Sequence, residues 1–434
     1  RKDDLVMEIY VNPEPREWEA LLSRSRQDDG AVEARVERIV ERVRTEGDRA
    51  LVALAGEIDG VTLSGVEVSA DEIREAETAV SGALKEALKR AAANIEKFHA
   101  AQFPRPVEVE TVPGVRCIQR PVPIRRVGLY VPGGSAPLFS TVLMLAVPAR
   151  VAGCPEVVLC TPPDKTGRVA PEILYAASLC GVTRVFKAGG AQAVAAMAYG
   201  TESVPKVDKI FGPGNRYVTR AKQLVSTSQV AIDMPAGPSE VMVMADETAR
   251  PDFVAADLLS QAEHGPDSQA VLLCTSRAFA ERVSREVERQ LASLPRGGIA
   301  RQALDGSRLI VMDTPEEMVR FANAYAAEHL IVSMENPWEV ASRITAAGSV
   351  FIGNYTPESA GDYASGTNHT LPTSGWARAF SGVNTDSFLR KITYQEITRE
   401  GLAALGGTIM TMAEGEGLAA HRNAVAVRLS EENL

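Results

Sequence analysis

The amino-acid sequence predicts an α/β fold with two parallel-sheet domains and small helical segments at both ends. Three observations carry this. Between residues 125 and 245, five short apolar runs alternate with helical runs, and each apolar run ends in a loop of small residues. A second series of helix–strand alternations fills 246–376. The two ends of the chain carry apolar residues at helical rather than strand spacing. This β-α-β rhythm is that of open, doubly wound sheets, so both domains are expected to be Rossmann-like.

The chain has 434 residues, too many for one hydrophobic core, and points to several units. It is 45% hydrophobic and 24% charged, which suits a globular protein and not a disordered one. A net charge of -10 without any Lys/Arg block argues against a nucleic-acid surface. The longest apolar run, 141–153, is too short to span a bilayer and contains Pro148 and Arg150, so no membrane association is expected. The N-terminal stretch lacks the apolar core of a signal peptide. Five scattered cysteines with no CxxC pair suggest reduced thiols and a cytoplasmic location.

The first 110 residues read as helical. Val32, Val36, Ile39, Val40 and Val43 share one face of "VEARVERIVERV". "SADE" (69–72) is a capping box that opens a long helix reaching about Phe103, where "FPRPVEVETVPG" stops it. The strands of the next region are "RVGLYV", "EVVLC", "VTRVFK", "VDKIF" and "QVAID". Their loops are "PGGS", "TPPD", "AGGAQ", "GPGN" and "MPAGPSE". Loops at the carboxyl ends of parallel strands lie along one edge, and five rich in small residues suggest a phosphate or dinucleotide cleft there. A GxGxxG fingerprint is absent. Further on, "TPEE" (314–317) reads as a second capping box, and "EHLIVSM" as a helix end followed by a strand. "NPWEVASRITAAG" reads as a capped helix before the strand "SVFIG". The tail, 377–434, has two modest helical runs and is too small to fold alone.

Four of the five histidines sit in polar clusters at element boundaries: His264, His329, His369 and His421. His99, inside a long helix, reads as structural. Gln261 and His264 are three apart at the end of an apolar helix, so they project to one side, and Gly265-Pro266 then stops it. Glu358, Asp362 and His369 cluster in "ESAGDYASGTNHT" and could add oxygen and nitrogen ligands for zinc. Glutamine is an uncommon ligand, so this spacing alone has little specificity. Glu328 and His329 are adjacent at a helix–strand junction and point different ways, which suits two acid–base roles or a plain helix cap.

Taken together, "RVGLYVPGG", "KAGGAQAVAAMAYGT", "FGPGNRYVT", "DMPAGPSEVMV", "DLLSQAEHGPDSQ", "EHLIV", "ESAGDYASGTNH" and "HRNAV" resemble the histidinol dehydrogenases in content and order, over nearly the whole chain. The resemblance implies an intertwined homodimer and a zinc enzyme with one Zn2+ per active site. That enzyme oxidises L-histidinol to L-histidine through L-histidinaldehyde, reducing two NAD+. Carried over motif by motif, the metal ligands would be Gln261, His264, Asp362 and His421. His329 would be the catalytic base and Glu328 the activator of water. Ser239, His369 and Glu416 match substrate-binding positions, alongside His329 and the metal ligands themselves. Tyr130, Gln192 and Asn215 match NAD contacts. In the family the tail is exchanged between subunits, so His421 and Glu416 would come from the second copy. The implied layout is a helical segment 1–25, a discontinuous α/β domain 26–129 with 239–376, a second α/β domain 130–238 carrying the NAD loops, and a dimerisation tail 377–434.

Alternatives remain at this level. The nitrogen and oxygen ligands also accept manganese or cobalt. A dehydrogenase for another small alcohol, such as a sulfonated diol, could share the scaffold. A zinc hydrolase would use Glu328 and His329 without NAD, and a binding protein would use neither.

Overall fold

The structure is a computed structural model that describes residues 7–24, 30–133, 136–235 and 237–430. The chain divides into two compact units: Arg1–Gln102 with Arg125–Phe388, and Phe103–Ile124 with Leu389–Leu434. In chain order the strands are β1 Glu8–Val11, β2 Val107–Val112, β3 Val115–Pro123, β4 Arg126–Tyr130, β5 Glu156–Thr161, β6 Arg184–Lys187 and β7 Lys209–Phe211. There follow β8 Ala231–Ile232, β9 Glu240–Ala245, β10 Gln269–Cys274, β11 Arg308–Val311, β12 His329–Ser333, β13 Ser349–Ile352 and β14 Leu389–Ile397.

The larger unit holds two parallel sheets. One has the order β6-β5-β4-β7-β8. The other has β1-β11-β10-β9-β12-β13. Without its edge strand β1, the second repeats the topology of the first. In each, the strand that comes first in the chain is central and the order reverses beside it. That reversal produces a crevice where loops diverge, between β4 and β7 in one sheet and between β9 and β12 in the other. The central strands are buried on both faces, as β9 and β10 show along their whole lengths, which is why they read as unbroken apolar runs.

Local expectations hold where the sequence pattern is strong. All five aliphatics of the helix Gly30–Glu46 are buried. Ser69 and Glu72 form the expected capping box. Others need correcting. The opening segment is not wholly helical, since Glu8–Val11 pairs in parallel with Arg308–Val311. The long helix ending near Phe103 is two helices, Ala70–Ala79 and Gly82–Ala100, because Ser81 caps a new start by accepting from the Leu84 amide. At 314–317 only half a box forms. Thr314 accepts from the Glu317 amide, but the Glu317 carboxylate takes the Thr314 hydroxyl instead of its backbone N–H. The helix at 337 is short, Pro337–Ala341, and Asn336 caps it with no side-chain hydrogen bond.

In the smaller unit, β14-β3-β2 is an antiparallel sheet that the sequence reading did not foresee. It is followed by the two tail helices, Arg399–Gly415 and Ala419–Leu429. No helix among the described residues is long and apolar enough to cross a membrane.

Leu272 lies at the centre of β10 with no exposed surface, inside the cluster that packs against one face of the six-stranded sheet. Leu272→Ala should therefore cost about 2–5 kcal/mol of stability by chemical denaturation. A loss under about 1 kcal/mol would show that this face is not the packing core it looks like.

Candidate active site

The amino ends of β9 and β12 lie side by side, with His329 in register with Val241. The first residue of a parallel strand has backbone groups that the ladder does not fully use. Here Glu240 uses both of its own. Its N–H donates to a Glu328 carboxylate oxygen at 2.9 Å. Its carbonyl lies 3.3 Å from His329 Nδ1. A carbonyl can only accept, so Nδ1 carries a proton and Nε2 is the atom turned toward the reaction space. That atom faces Asp362 Oδ1 at 3.4 Å.

The Glu240 side chain is buried and held by Arg24 through two hydrogen bonds of 2.9 Å. Arg24 also donates to the Tyr325 carbonyl at 2.7 Å and stacks 3.7 Å above the Tyr325 ring. Burial raises the Glu240 carboxyl above its ordinary value, and Arg24 opposes that.

The helix Glu358–Tyr363 brings Glu358 and Asp362 to the same side, four residues apart. His264, Glu358 and Asp362 each offer a ligand atom within 4.8 Å of the others. His264 Nε2 and Asp362 Oδ2 are 3.9 Å apart, too far for a hydrogen bond. The helix Pro251–Ala262 ends two residues before His264, whose amide still bonds the Gln261 carbonyl. Gln261 is fully buried, yet neither its Oε1 nor its Nε2 has a partner. Both carboxylate oxygens of Glu358 are likewise buried and unpartnered. Orphaned buried acceptors are costly and call for an explanation. A divalent cation beside Gln261, His264, Glu358 and Asp362 supplies one, so the donor set fits a metal.

Charge is concentrated here. Burial pushes the Glu328 carboxyl up to about 8, with His329 opposing. Burial likewise pushes Glu358 up to about 8, again against His329. For His329 burial alone would lower the value, but Glu328, Glu358 and Asp362 together push it up to about 10. Burial would raise Asp362 as well, yet its contact with His329 dominates and lowers it. The pocket thus favours cationic groups. His369 donates from Nδ1 to the Asp362 carbonyl at 2.9 Å, which leaves Nε2 to meet the Thr141 hydroxyl at 3.2 Å. Burial keeps His369 below its usual value, so it is neutral at pH 7. Ser239 directly precedes Glu240 and is half-buried.

The other sheet carries the second group of expected residues. Tyr130 ends β4, and its hydroxyl accepts from the Gly190 amide at 3.0 Å. Burial pushes that phenol up to about 12, so its proton stays available to donate. Gln192 is buried in the first turn of the helix Gly190–Tyr199 that follows β6. Asn215, after β7, caps the helix Arg216–Ser226 by accepting from the Tyr217 and Val218 amides. All three therefore follow carboxyl ends of strands in one sheet. Glu416 and His421 lie on the smaller unit, both exposed, the first just before its last helix and the second in that helix's first turn.

Sequence reasoning gave Glu358 no role beyond its neighbourhood, although its spacing from Asp362 was a usable signal. It missed Glu240 and Arg24 entirely. His99 is structural: it is buried, and its Nδ1 lies 2.7 Å from the Ile95 carbonyl. All five cysteines are free.

A reversed-order parallel sheet with loops at its switch point, beside a buried acid–base pair and a metal-ligand cluster, is the architecture of an α/β enzyme. The family model described as histidinol dehydrogenase matches residues 22–429. A histidinol dehydrogenase of Bacteroides thetaiotaomicron is 58% identical over 425 residues, covering 98% of this chain and 99% of that one. One from Aliivibrio fischeri is 55% identical over 426 residues, covering 98% and 96%. The crystal structure of histidinol dehydrogenase from Elizabethkingia anophelis superposes with a TM-score of 0.96 at 52% identity, covering 99% of both chains. The chain belongs to the histidinol dehydrogenase family. It is thus an oxidoreductase, which removes the hydrolase and binding-protein alternatives.

Arg24→Met would leave the Glu240 carboxylate buried without its partner, and should cost about 3–5 kcal/mol at neutral pH. The folded value of Glu240 is already raised and would rise further in the variant. The deficit relative to the parent is then full above that folded value and fades as pH falls toward the unfolded value of about 4.3. Denaturation of both proteins across this range checks the sign; a deficit that grows on acidification would contradict it.

Proposed function

We propose that this chain catalyses the four-electron oxidation of L-histidinol to L-histidine through L-histidinaldehyde, reducing two NAD+, with zinc in the site. The observation that supports this most is the shared anchoring of Glu328 and His329 on one backbone residue, beside the His264–Glu358–Asp362 cluster. It gives two proton-transfer groups fixed positions side by side, 3.6 Å apart, in a buried charged pocket.

In the alcohol step, His329 Nε2 takes the hydroxyl proton while the carbinol carbon loses hydride. Tyr130, Gln192 and Asn215 would hold the oxidised nicotinamide cofactor, which would supply the hydride acceptor for both oxidations. Glu328 then takes a proton from water as the oxygen attacks the aldehyde carbon, and His329 returns the proton from the first step to the former carbonyl oxygen, which gives the hydrate and frees Nε2. Its raised value suits a group that must both accept and return a proton near neutrality. His329 removes a hydroxyl proton from the hydrate, and the second hydride departs to leave the carboxylate. A zinc ion on Gln261, His264, Asp362 and His421 would anchor the substrate's nitrogen atoms and, by occupying Asp362, relax the pull that keeps His329 protonated. Ser239, His369 and Glu416 complete the substrate site. A homodimer would supply His421 and Glu416 from the second copy, since both lie on the smaller unit and the other proposed ligands on the larger.

The decisive assay supplies excess NAD+ and a limiting, known amount of L-histidinol to the purified protein. NADH should reach close to two per histidinol. A plateau at one would mean that the aldehyde is the final product; none, with metal present, would overturn the substrate. His329→Ala should abolish both oxidations. Glu328→Gln should spare the alcohol step and slow aldehyde oxidation by roughly 10²–10⁴-fold, the usual worth of a general base. Equal losses in both steps would refute that division. Chelation should remove activity and Zn2+ should restore it; full activity in metal-free protein would sink the ligand assignment.

A further inference from the structure

Outside this pocket, the most heavily engineered polar feature is an ion pair that grips a single glycine. Gly212 follows β7, at the point where the strand order of the five-stranded sheet reverses. Its φ of +132° suits only glycine, and a Cβ there would run into the Tyr130 carbonyl oxygen. Lys222 Nζ donates to the Gly212 carbonyl at 2.8 Å. The Gly212 amide donates to Asp233 Oδ2 at 2.8 Å. Lys222 and Asp233 also bond each other directly. Their side chains are only 6% and 1% exposed, which rules out a solvated surface pair and implies a desolvation cost that needs a return. Asp233 Oδ1 accepts from the Met234 amide too, which ties the end of β8 into the same knot.

We infer that Lys222 and Asp233 are positioning residues for the dinucleotide: they fix both polar groups of Gly212, and so set where Asn215 and the loop 212–215 meet NAD. The geometry favours this over simple stabilisation. The pair does not link two distant elements by their side chains alone; it closes on the one peptide that must lie against β4 beside Tyr130. Lys222 and Asn215 sit on the same helix and its cap, so the loop is held at both ends. The inference rests on the reading of 212–215 as a dinucleotide loop.

The test compares Lys222→Met, Asp233→Asn, the double variant and Asn215→Ala in the full-length, metal-loaded enzyme. KM is measured separately for NAD+ and for L-histidinol. Lys222→Met leaves a buried carboxylate unpaired and can fail to fold; the double variant removes both charges and carries the test in that case. The expected result is a KM for NAD+ raised roughly ten- to a hundredfold in the double variant, as loop misplacement commonly causes, with the KM for L-histidinol unchanged. Two results overturn the inference: a folded double variant with the parent's KM for NAD+, or a parallel rise in both KM values. Asn215→Ala separates the premises. If it raises the KM for NAD+ while the pair variants do not, the loop reading stands and the clamp falls. If none of them does, both fall.

Discussion

The site depends on one constraint: the backbone of Glu240 is committed in both directions. Its N–H is given to Glu328 and its carbonyl to His329. Neither catalytic candidate can move without breaking a bond to the first residue of a central strand. Glu240 in turn cannot move, because its side chain is buried against Arg24. A rigid strand end is a better mount for acid–base groups than a loop, since small misplacements are expensive in rate. The same arrangement commits His329 Nδ1 to the Glu240 carbonyl and turns Nε2 toward Asp362.

This mount lies on the amino edge of its sheet, contrary to the usual placement of ligands at carboxyl edges. In the other sheet Tyr130, Gln192 and Asn215 all lie at or after carboxyl ends, the edge where a ligand is expected. The reason for the difference is chemical. A dinucleotide phosphate is well served by amides at helix starts, which gather at carboxyl edges. An imidazole whose Nδ1–H needs an acceptor, and a carboxylate that needs a single amide, are served by the unsatisfied groups at a strand's beginning. His264 reaches the same edge because the helix after β9 runs back against its strand, so that its last turn arrives at the amino side.

Much of this was legible in the sequence, for identifiable reasons. Strands buried on both faces stand out, and β4, β5 and β12 read directly as apolar runs. The motif residues were found because their chemistry is rare in so apolar a chain. What escaped depended on distant partners. β1 has four residues and pairs with a strand some three hundred positions away. β2 and β14 show almost no buried face, so hydropathy gave no sign of them. Arg24 and Glu240 look like surface charges until the fold places them together. Glu358 was visible as a spacing, but its burial and its unpartnered oxygens belong to the tertiary structure alone.

The two sheets meet in function through His369. Its ring lies between the Asp362 carbonyl, beside the metal-ligand cluster, and Thr141, on the helix that follows β4. β4 is also the strand that ends in Tyr130 and against which Gly212 is pressed. A displacement of β4 would therefore be felt both at the loop that carries Gly212 and, through Thr141 and His369, at Asp362. The candidate acid–base pair and the metal-ligand cluster thus hang on one sheet, the loops that follow β4, β6 and β7 belong to the other, and a hydrogen-bonded imidazole joins them. The mount on Glu240 and those loops are fixed by separate strands, so one can shift without dislodging the other.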